Sequence, residues 1–170
     1  APTFVENALL KARSAALATG LPAIADDSGL EVDFLDGAPG VYSARYAGAN
    51  ASDEQNVELL LQALAASRGA ARSARFRCAA VYLPHPLHPT PVVCQACWEG
   101  FILEVPRGEG GFGYDPVFLD PASGLSAAEL SAAAKNRISH RAQAIRALVE
   151  ALSGARPAPL RCGQPGADRI

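Results

Sequence analysis

Two adjacent carboxylates, Asp26 and Asp27, form with Ser28 and Gly29 the strongest chemical cluster in the sequence. The apolar residues before them predict a short strand, and the Asp-Asp-Ser-Gly run predicts a turn at its end. Carboxylates in that position suit a hard cation such as Mg²⁺, which takes a few carboxylate oxygens and leaves phosphates to complete its shell. A carboxylate beside the cation would also accept a proton from an attacking water. The alternative is an ordinary turn whose aspartates satisfy their own backbone.

A glycine-rich segment at residues 108–113 is followed by Tyr114 and Asp115. It lacks the strand and helix that flank a dinucleotide-binding G-x-G-x-x-G, and no G-K-[ST] follows it. Glycines would let the backbone approach a ligand closely, with Phe112 and Tyr114 available to stack on a base. The alternative is a flexible loop whose aromatic side chains pack inward.

A third cluster comprises Lys135, Ser139, His140 and Arg141. A helix that begins near Ser139 would offer free backbone N–H groups to a ligand. The next two side chains, in its first turn, could hydrogen-bond purine oxygens or phosphates. A surface histidine with satisfied hydrogen bonds is the alternative for His140.

Lysine is rare in this chain, because only Lys11 and Lys135 stand among its 15 basic side chains. A compact ammonium can serve where a guanidinium cannot, so the bias selects these two positions as candidates for ligand contacts. Coding composition alone would also produce such a bias.

Helix signals recur at three places in the chain. Residues 3–6 and 52–55 are capping boxes, in which a hydroxyl and a carboxylate or amide satisfy backbone N–H groups at a helix start. The first helix is predicted to end at Gly20, and a final helix is predicted from Ser139 through Leu152.

Strand signals lie between these helices. Short strands are predicted at residues 23–25, 30–34 and 117–119, and two long strands at 74–83 and 91–105 are predicted to form an antiparallel hairpin. Strands interleaved with helices, together with a long hairpin, predict an α/β fold with a mixed sheet.

Composition bounds the class of protein. A chain of 170 residues with 49% hydrophobic and 19% charged residues is typical of one folded domain, here residues 1–153, with a disordered tail at 154–170. The apolar runs are too short to span a membrane, and no signal peptide opens the chain, so a cytoplasmic location is expected. A formal charge of −2 argues against a nucleic-acid partner, since binding would require phosphate neutralisation.

Four cysteines, among them a Cys94-x-x-Cys97 pair, raise the question of a metal or redox site. Residues three apart in a strand point to opposite faces, so these two thiols would not share a ligand. No second pair lies at zinc spacing, and reduced buried thiols are the default interpretation.

Five motifs occur in a specific order, and together they closely resemble the inosine-triphosphatase family of non-canonical purine nucleoside-triphosphate pyrophosphatases, with the bacterial dITP/XTP pyrophosphatases nearest. They are T-F-x-E-N-A-x-x-K-A at 3–12, A-D-D-S-G-L at 25–30, G-A-P-G-V-Y-S-A-R-Y at 37–46, G-F-G-Y-D-P at 111–116 and K-x-x-x-S-H-R at 135–141. The resemblance covers residues 3–152, nearly the whole chain.

The resemblance implies a role for each candidate residue. Asp27 would accept the proton from water and bind Mg²⁺, with Asp26 beside it in the metal site. The substrate would be bound by Lys11, Ser28, Phe112, Gly113, Tyr114, Asp115, Lys135, His140 and Arg141. The implied fold is an elongated α/β structure with an active-site cleft between two lobes, and the implied assembly is a homodimer.

Family members begin with a strand and a T-G-N-x-x-K phosphate loop, and this sequence, which starts at Ala1, contains neither. The resemblance therefore also allows an alternative: a truncated, catalytically impaired remnant that binds nucleotide or dimerises with a complete copy. A hydrolase of modified pyrimidine or methylated nucleotides in a related fold is a further alternative.

Overall fold

The computed structural model describes residues 1–65, 67 and 72–154. The tail predicted to be disordered therefore lies, apart from its first residue, outside the described residues, as does Cys162. The helices are α1 (Phe4–Thr19), α2 (Asp53–Ala63), α3 (Ala132–Ile138) and α4 (His140–Leu152), and the strands are β1 (Ala23–Val32), β2 (Ser73–Leu83), β3 (Val92–Ile102), β4 (Phe118–Asp120) and β5 (Leu125–Ser126). None of the described helices combines the length and apolar character needed to cross a bilayer.

The five strands form one sheet in the order β1-β2-β3-β4-β5, and each neighbouring pair is antiparallel. The α/β class is confirmed, as is the hairpin of β2 and β3. The expectation of a mixed sheet is wrong for the described strands. Consecutive strands are neighbours in space, and none is joined to the next by the crossover that a parallel pair requires.

The predicted helix starts are confirmed. The Thr3 hydroxyl accepts a hydrogen bond from the Glu6 N–H, and Ser52 and Gln55 form a complete capping box. Gly20 ends α1 in a left-handed conformation, and Ser139 caps α4. The short helix α3 has no counterpart in the sequence prediction.

The turn predicted at residues 26–29 is wrong, because these residues lie in the middle of the ten-residue strand β1. Asp26, Asp27 and Ser28 lie opposite Ala80, Ala79 and Cys78 of β2. Pairing of all ten residues of β1 with β2 overrides the low strand preference of aspartate and glycine.

Two layers of helix cover the sheet. On one face α1 packs its alanines against Ala79, Val81 and Leu83. On the other face α4 covers Cys78 and Ala80, while the apolar side of α2 packs with the sheet residues further along. The aromatic part of this second core contains Trp98, whose indole N–H donates to Asp120 at 3.0 Å. The uncovered strip between α2 and α4 becomes the cleft described below.

Gly29 permits the segment 40–45 to approach β1 unusually closely. A Cβ at this position would lie 2.7 Å from both the Phe4 ring and the Ser43 hydroxyl, and closer still to the Gly40 carbonyl. Ser43 in turn accepts a hydrogen bond from the Leu30 N–H at 2.9 Å. The segment 40–45 is therefore held against the strand that carries both aspartates.

Gly29→Ala should lower the free energy of unfolding by about 2 kcal/mol or more, because the backbone of Gly40 has little room to retreat. Urea denaturation measures the loss. Ile24→Ala is the matched control, since Ile24 lies on the same strand with 56% of its surface exposed, and it should cost less than about 1 kcal/mol. Equal losses would contradict the close-packing argument.

Candidate active site

The two adjacent aspartates point to opposite faces of the sheet. Successive side chains of a strand alternate, so Asp27 faces α1 whereas Asp26 and Ser28 face α4. The contacts agree with this geometry, because Asp27 pairs with Lys11 of α1 and Asp26 pairs with Arg141 of α4. The sequence led us to expect both carboxylates at one cation, whereas the structure places them on opposite faces of the sheet.

On the α1 face, Asp27 is held by two side chains one helical turn apart. Its carboxylate accepts from the Lys11 ammonium at 2.6 Å and from the Asn7 amide at 3.1 Å. Lys11 also donates to the backbone carbonyl of Asp26 at 3.1 Å. Residues at i and i+4 lie on the same side of a helix, so the Asn-x-x-x-Lys spacing places both donors over the strand.

On the α4 face, one carboxylate oxygen of Asp26 accepts hydrogen bonds from α4 and from its own strand. The Arg141 Nε donates to it at 3.0 Å, and the Ser28 hydroxyl donates at 3.3 Å. Both donors also line the cleft between α2 and α4.

The cleft has a volume of about 290 Å³ and combines apolar walls with a few polar groups. Its floor is the sheet at Ser28, Leu30 and Phe76. One wall is the glycine-rich loop, and the other is the junction of α3 and α4. The predicted residues that line it are Ser28, Phe112, Gly113, Tyr114, Asp115, Lys135, His140 and Arg141. The structure thus unites three clusters that are far apart in sequence, while Lys11 and Asp27 lie across β1 from them.

Asp115 organises the glycine-rich loop from inside. Its side chain is buried, accepts from the Phe112 N–H at 2.8 Å and forms an ion pair with Lys135. Gly111 has a positive φ of 76°, and a Cβ there would collide with the Asp115 carboxylate. Asp115 therefore holds the loop in shape, and Lys135 is held 4.9 Å above the ring of Phe112.

The two aromatic residues of the loop differ in exposure. Tyr114 is buried, and its hydroxyl donates to the Ser43 carbonyl at 2.9 Å. Burial raises the pKa of Tyr114, so its hydroxyl stays protonated as a donor. Phe112 is 66% exposed at the mouth of the cleft, where its ring, with the Lys135 ammonium over it, presents an aromatic surface to a planar ligand.

His140 is a neutral histidine beneath the cleft. Its ring stacks on Phe76 with centroids 4.8 Å apart. Burial, followed by the charges of Arg141 and Lys135, lowers the pKa of His140 to about 3. Its Nδ1 is buried and has no hydrogen-bond partner among the described residues. A neutral imidazole carries no charge with which to attract an anion.

Sequence reasoning missed two residues. Asp53, in the first turn of α2, accepts from the Gly113 N–H at 2.6 Å and so ties the glycine-rich loop to that helix. Asn7 completes the contacts of Asp27. The spacing of Asn7 and Lys11 could have revealed Asn7, whereas nothing local to Asp53 indicates a partner 60 residues away.

The Asp27 carboxylate supplies oxygen ligands of the type that fits a magnesium ion shared with a phosphate-bearing ligand. No group of three or more histidine, cysteine or acidic side chains that could hold a metal occurs in residues 1–65, 67 and 72–154. Mg²⁺ does not need such a cage, since one or two carboxylates plus phosphates and waters satisfy it.

A concave, largely apolar cleft with a few converging polar groups defines a small-molecule-binding class of site. The particular family follows from comparison with known proteins: the chain belongs to the Ham1 family, whose model matches residues 1–151. It is 58% identical over 150 residues to the dITP/XTP pyrophosphatase of Salmonella typhimurium, covering 88% of this chain and 76% of that protein. The enzyme of the same name from Thioalkalivibrio sulfidiphilus is 58% identical over 152 residues, which are 89% and 78% of the two chains.

Solved structures share the fold. A HAM1 protein from Coxiella burnetii matches with a TM-score of 0.86 and 50% identity, over 91% of this chain and 79% of that one. The Staphylococcus aureus Ham1 protein matches with a TM-score of 0.83 and 44% identity, over 92% and 79%.

His140 should make the protein sensitive to acid. Below pH 6.5 the unfolded chain takes up a proton that the folded protein refuses until about pH 3, so the free energy of unfolding decreases as pH falls through this window. His140→Gln should remove this component and flatten the slope by up to about 1.4 kcal/mol per pH unit. Urea denaturation between pH 4 and 7 measures both slopes, and parallel curves would contradict the burial of a neutral imidazole.

Asp53→Ala should release the glycine-rich loop. Loss of a hydrogen bond to a carboxylate should speed hydrogen exchange at the Gly113 amide about tenfold. Exchange mass spectrometry on peptides covering residues 108–115 measures the rate. Glu54→Ala, which removes the next carboxylate along the helix, is the control, and an equal acceleration there would sink the assignment.

Proposed function

We propose that this chain hydrolyses non-canonical purine nucleoside triphosphates, namely ITP, dITP and XTP, to the monophosphate and pyrophosphate. This activity would clear such nucleotides from the precursor pool. The observation that carries the proposal is the placement of Asp27 and Lys11 one strand-width from a purine-sized cleft. The dITP/XTP pyrophosphatase names of relatives 58% identical to the chain favour the same reaction.

The reacting groups lie on the α1 face. A water oxygen attacks the α-phosphorus, its bond to phosphorus forms, and the bond from that phosphorus to the bridging oxygen breaks, so pyrophosphate departs. Asp27 accepts the proton of the water. In the free protein Lys11 neutralises this carboxylate at 2.6 Å. A bound triphosphate competes for the same ammonium, which leaves Asp27 available as the base.

Magnesium is the proposed cofactor, with Asp27 as its ligand from the described residues. When bound together with substrate, the ion would neutralise the charge that develops on the phosphate oxygens. Asp26 is not retained as a ligand, because its carboxylate faces α4. The Asn7 amide keeps the Asp27 carboxylate in place by donating to Oδ2, whereas Lys11 donates to Oδ1.

The purine would lie in the cleft between Phe112 and the α3–α4 junction. The Arg141 guanidinium offers only N–H donors, and His140 is neutral, so a 6-oxo group is accepted there. An adenine amine would bring a donor against the arginine, which lowers its affinity. Discrimination against guanine would arise if its exocyclic amine finds no acceptor.

A homodimer and a cytoplasmic location complete the proposal. The homodimer rests on the resemblance of the five sequence motifs to the inosine-triphosphatase family, and the cytoplasmic location fits the proposed action on the nucleotide precursor pool. Light scattering of the purified chain tests the dimer.

Asp27→Asn should reduce kcat for dITP by at least about 100-fold, because a positioned base contributes on that scale. Pyrophosphate release with dITP, XTP, dGTP and dATP, with and without Mg²⁺, measures both rate and preference. Asp36→Asn is the matched control, since Asp36 is an exposed aspartate in a left-handed turn that asparagine also tolerates.

Two outcomes would overturn this function. Equal rates in the wild-type and Asp27→Asn proteins would show that Asp27 is not the general base. Binding of ITP by calorimetry without pyrophosphate release would instead identify a nucleotide-binding protein without catalysis.

A further inference from the structure

We propose that Asp26 is a positioning residue that sets the Arg141 guanidinium and the Ser28 hydroxyl on the purine side of the cleft, rather than a metal ligand. The inference rests on the proposed function for the identity of the ligand. The assignment of Asp26 to the α4 face of the sheet, and so to Arg141 and Ser28, rests on geometry alone.

A single oxygen of Asp26 organises three donors. Arg141 Nε lies 3.0 Å from Oδ2, the Ser28 hydroxyl lies 3.3 Å from it, and the Cys78 thiol lies 3.9 Å from it. The thiol remains a protonated donor, because burial raises the pKa of Cys78 to about 11. Three donors converging on one acceptor leave that oxygen little capacity for a cation.

The arginine uses only its Nε in this contact. A guanidinium is a planar fork with five N–H donors, so a bond at Nε leaves its two terminal nitrogens for a ligand. Arg141 is about half exposed and lines the cleft, where those nitrogens would be available to a bound base. Without Asp26 the long side chain would sample many rotamers.

The surroundings of Asp26 also place its negative charge on the α4 face of the sheet, where the cleft lies. Its field reaches His140, where it opposes the lowering of the histidine pKa by Arg141 and Lys135. Its neighbour Asp27, by contrast, contacts α1 through Asn7 and Lys11. Substitution of the two aspartates should therefore give different phenotypes.

A double-mutant cycle tests the inference with Asp26→Asn, Arg141→Gln and their combination. The readouts are binding of IMP by calorimetry without metal, kcat and KM for dITP, and the Mg²⁺ concentration for half-maximal turnover. If Asp26 acts through Arg141, each single substitution should weaken IMP binding about tenfold, and the double variant should bind no more weakly than the worse single one. KM for dITP should rise while the Mg²⁺ requirement stays unchanged.

Two results would overturn the inference. Additive losses of IMP binding would show that Asp26 acts independently of Arg141. An unchanged affinity for IMP together with a tenfold higher Mg²⁺ requirement in Asp26→Asn would make Asp26 a metal-side residue after all.

Controls separate this inference from folding defects and from the proposed function. Circular dichroism checks each fold, and Arg141→Lys, which keeps the charge but loses the fork, replaces Arg141→Gln if the latter unfolds. Arg137→Gln, an exposed arginine of α3, should leave IMP binding unchanged. A cycle that is coupled in IMP binding but lacks dITP hydrolysis would reject the function and uphold the positioning role, whereas hydrolysis with an additive cycle would do the reverse.

Discussion

The alternation of side chains along β1 is the constraint on which the candidate site depends. Because consecutive residues of a strand face opposite ways, Asp27 points toward α1 and Asp26 points toward α4. The pairing of β1 with β2 along ten residues fixes which aspartate faces which helix, and a shift by one residue would exchange them. The strand thereby separates the Asp27–Lys11 pair under α1 from the Asp26–Arg141 pair and the cleft under α4, with one peptide bond between the two aspartates.

Close contact at the edge of β1 keeps this register. Gly29 admits the backbone of Gly40, and the Ser43 hydroxyl bridges from Leu30 to that same turn. Ser43 also offers its carbonyl to Tyr114, so the segment that packs on the strand also anchors the glycine-rich loop. The glycine-rich loop and β1 therefore both contact the segment 40–45, so a shift of that segment would affect both.

Local signals predicted much of this arrangement, and long-range contacts account for the rest. Helix starts and the β2–β3 hairpin depend on residues close in sequence, so capping boxes and alternation identify them. The continuation of β1 through Asp26 and Asp27 depends on pairing with β2, about 50 residues away, which no local pattern reveals. The turn predicted there is the reason that both aspartates were expected to face one metal ion, whereas in the strand they face opposite sides of the sheet.

The cleft shows the same division between local and distant information. Motif order indicated that Phe112, His140 and Arg141 belong to one site, and the structure brings them together. The inward turn of Asp115 could not be predicted, because its partner Lys135 lies 20 residues further on and the ion pair exists only in the folded chain. The Asp53 contact to Gly113 is hidden for the same reason.

The tryptophan in the core gives the molecule an intrinsic optical reporter. Trp98 is the only tryptophan in the sequence, and it is 5% exposed. Its ring lies 6.2 Å from Phe76, the same ring on which His140 stacks at the floor of the cleft. A ligand that displaces His140 or Phe76 changes the surroundings of a lone buried indole, so its emission spectrum registers events in the cleft without any attached label.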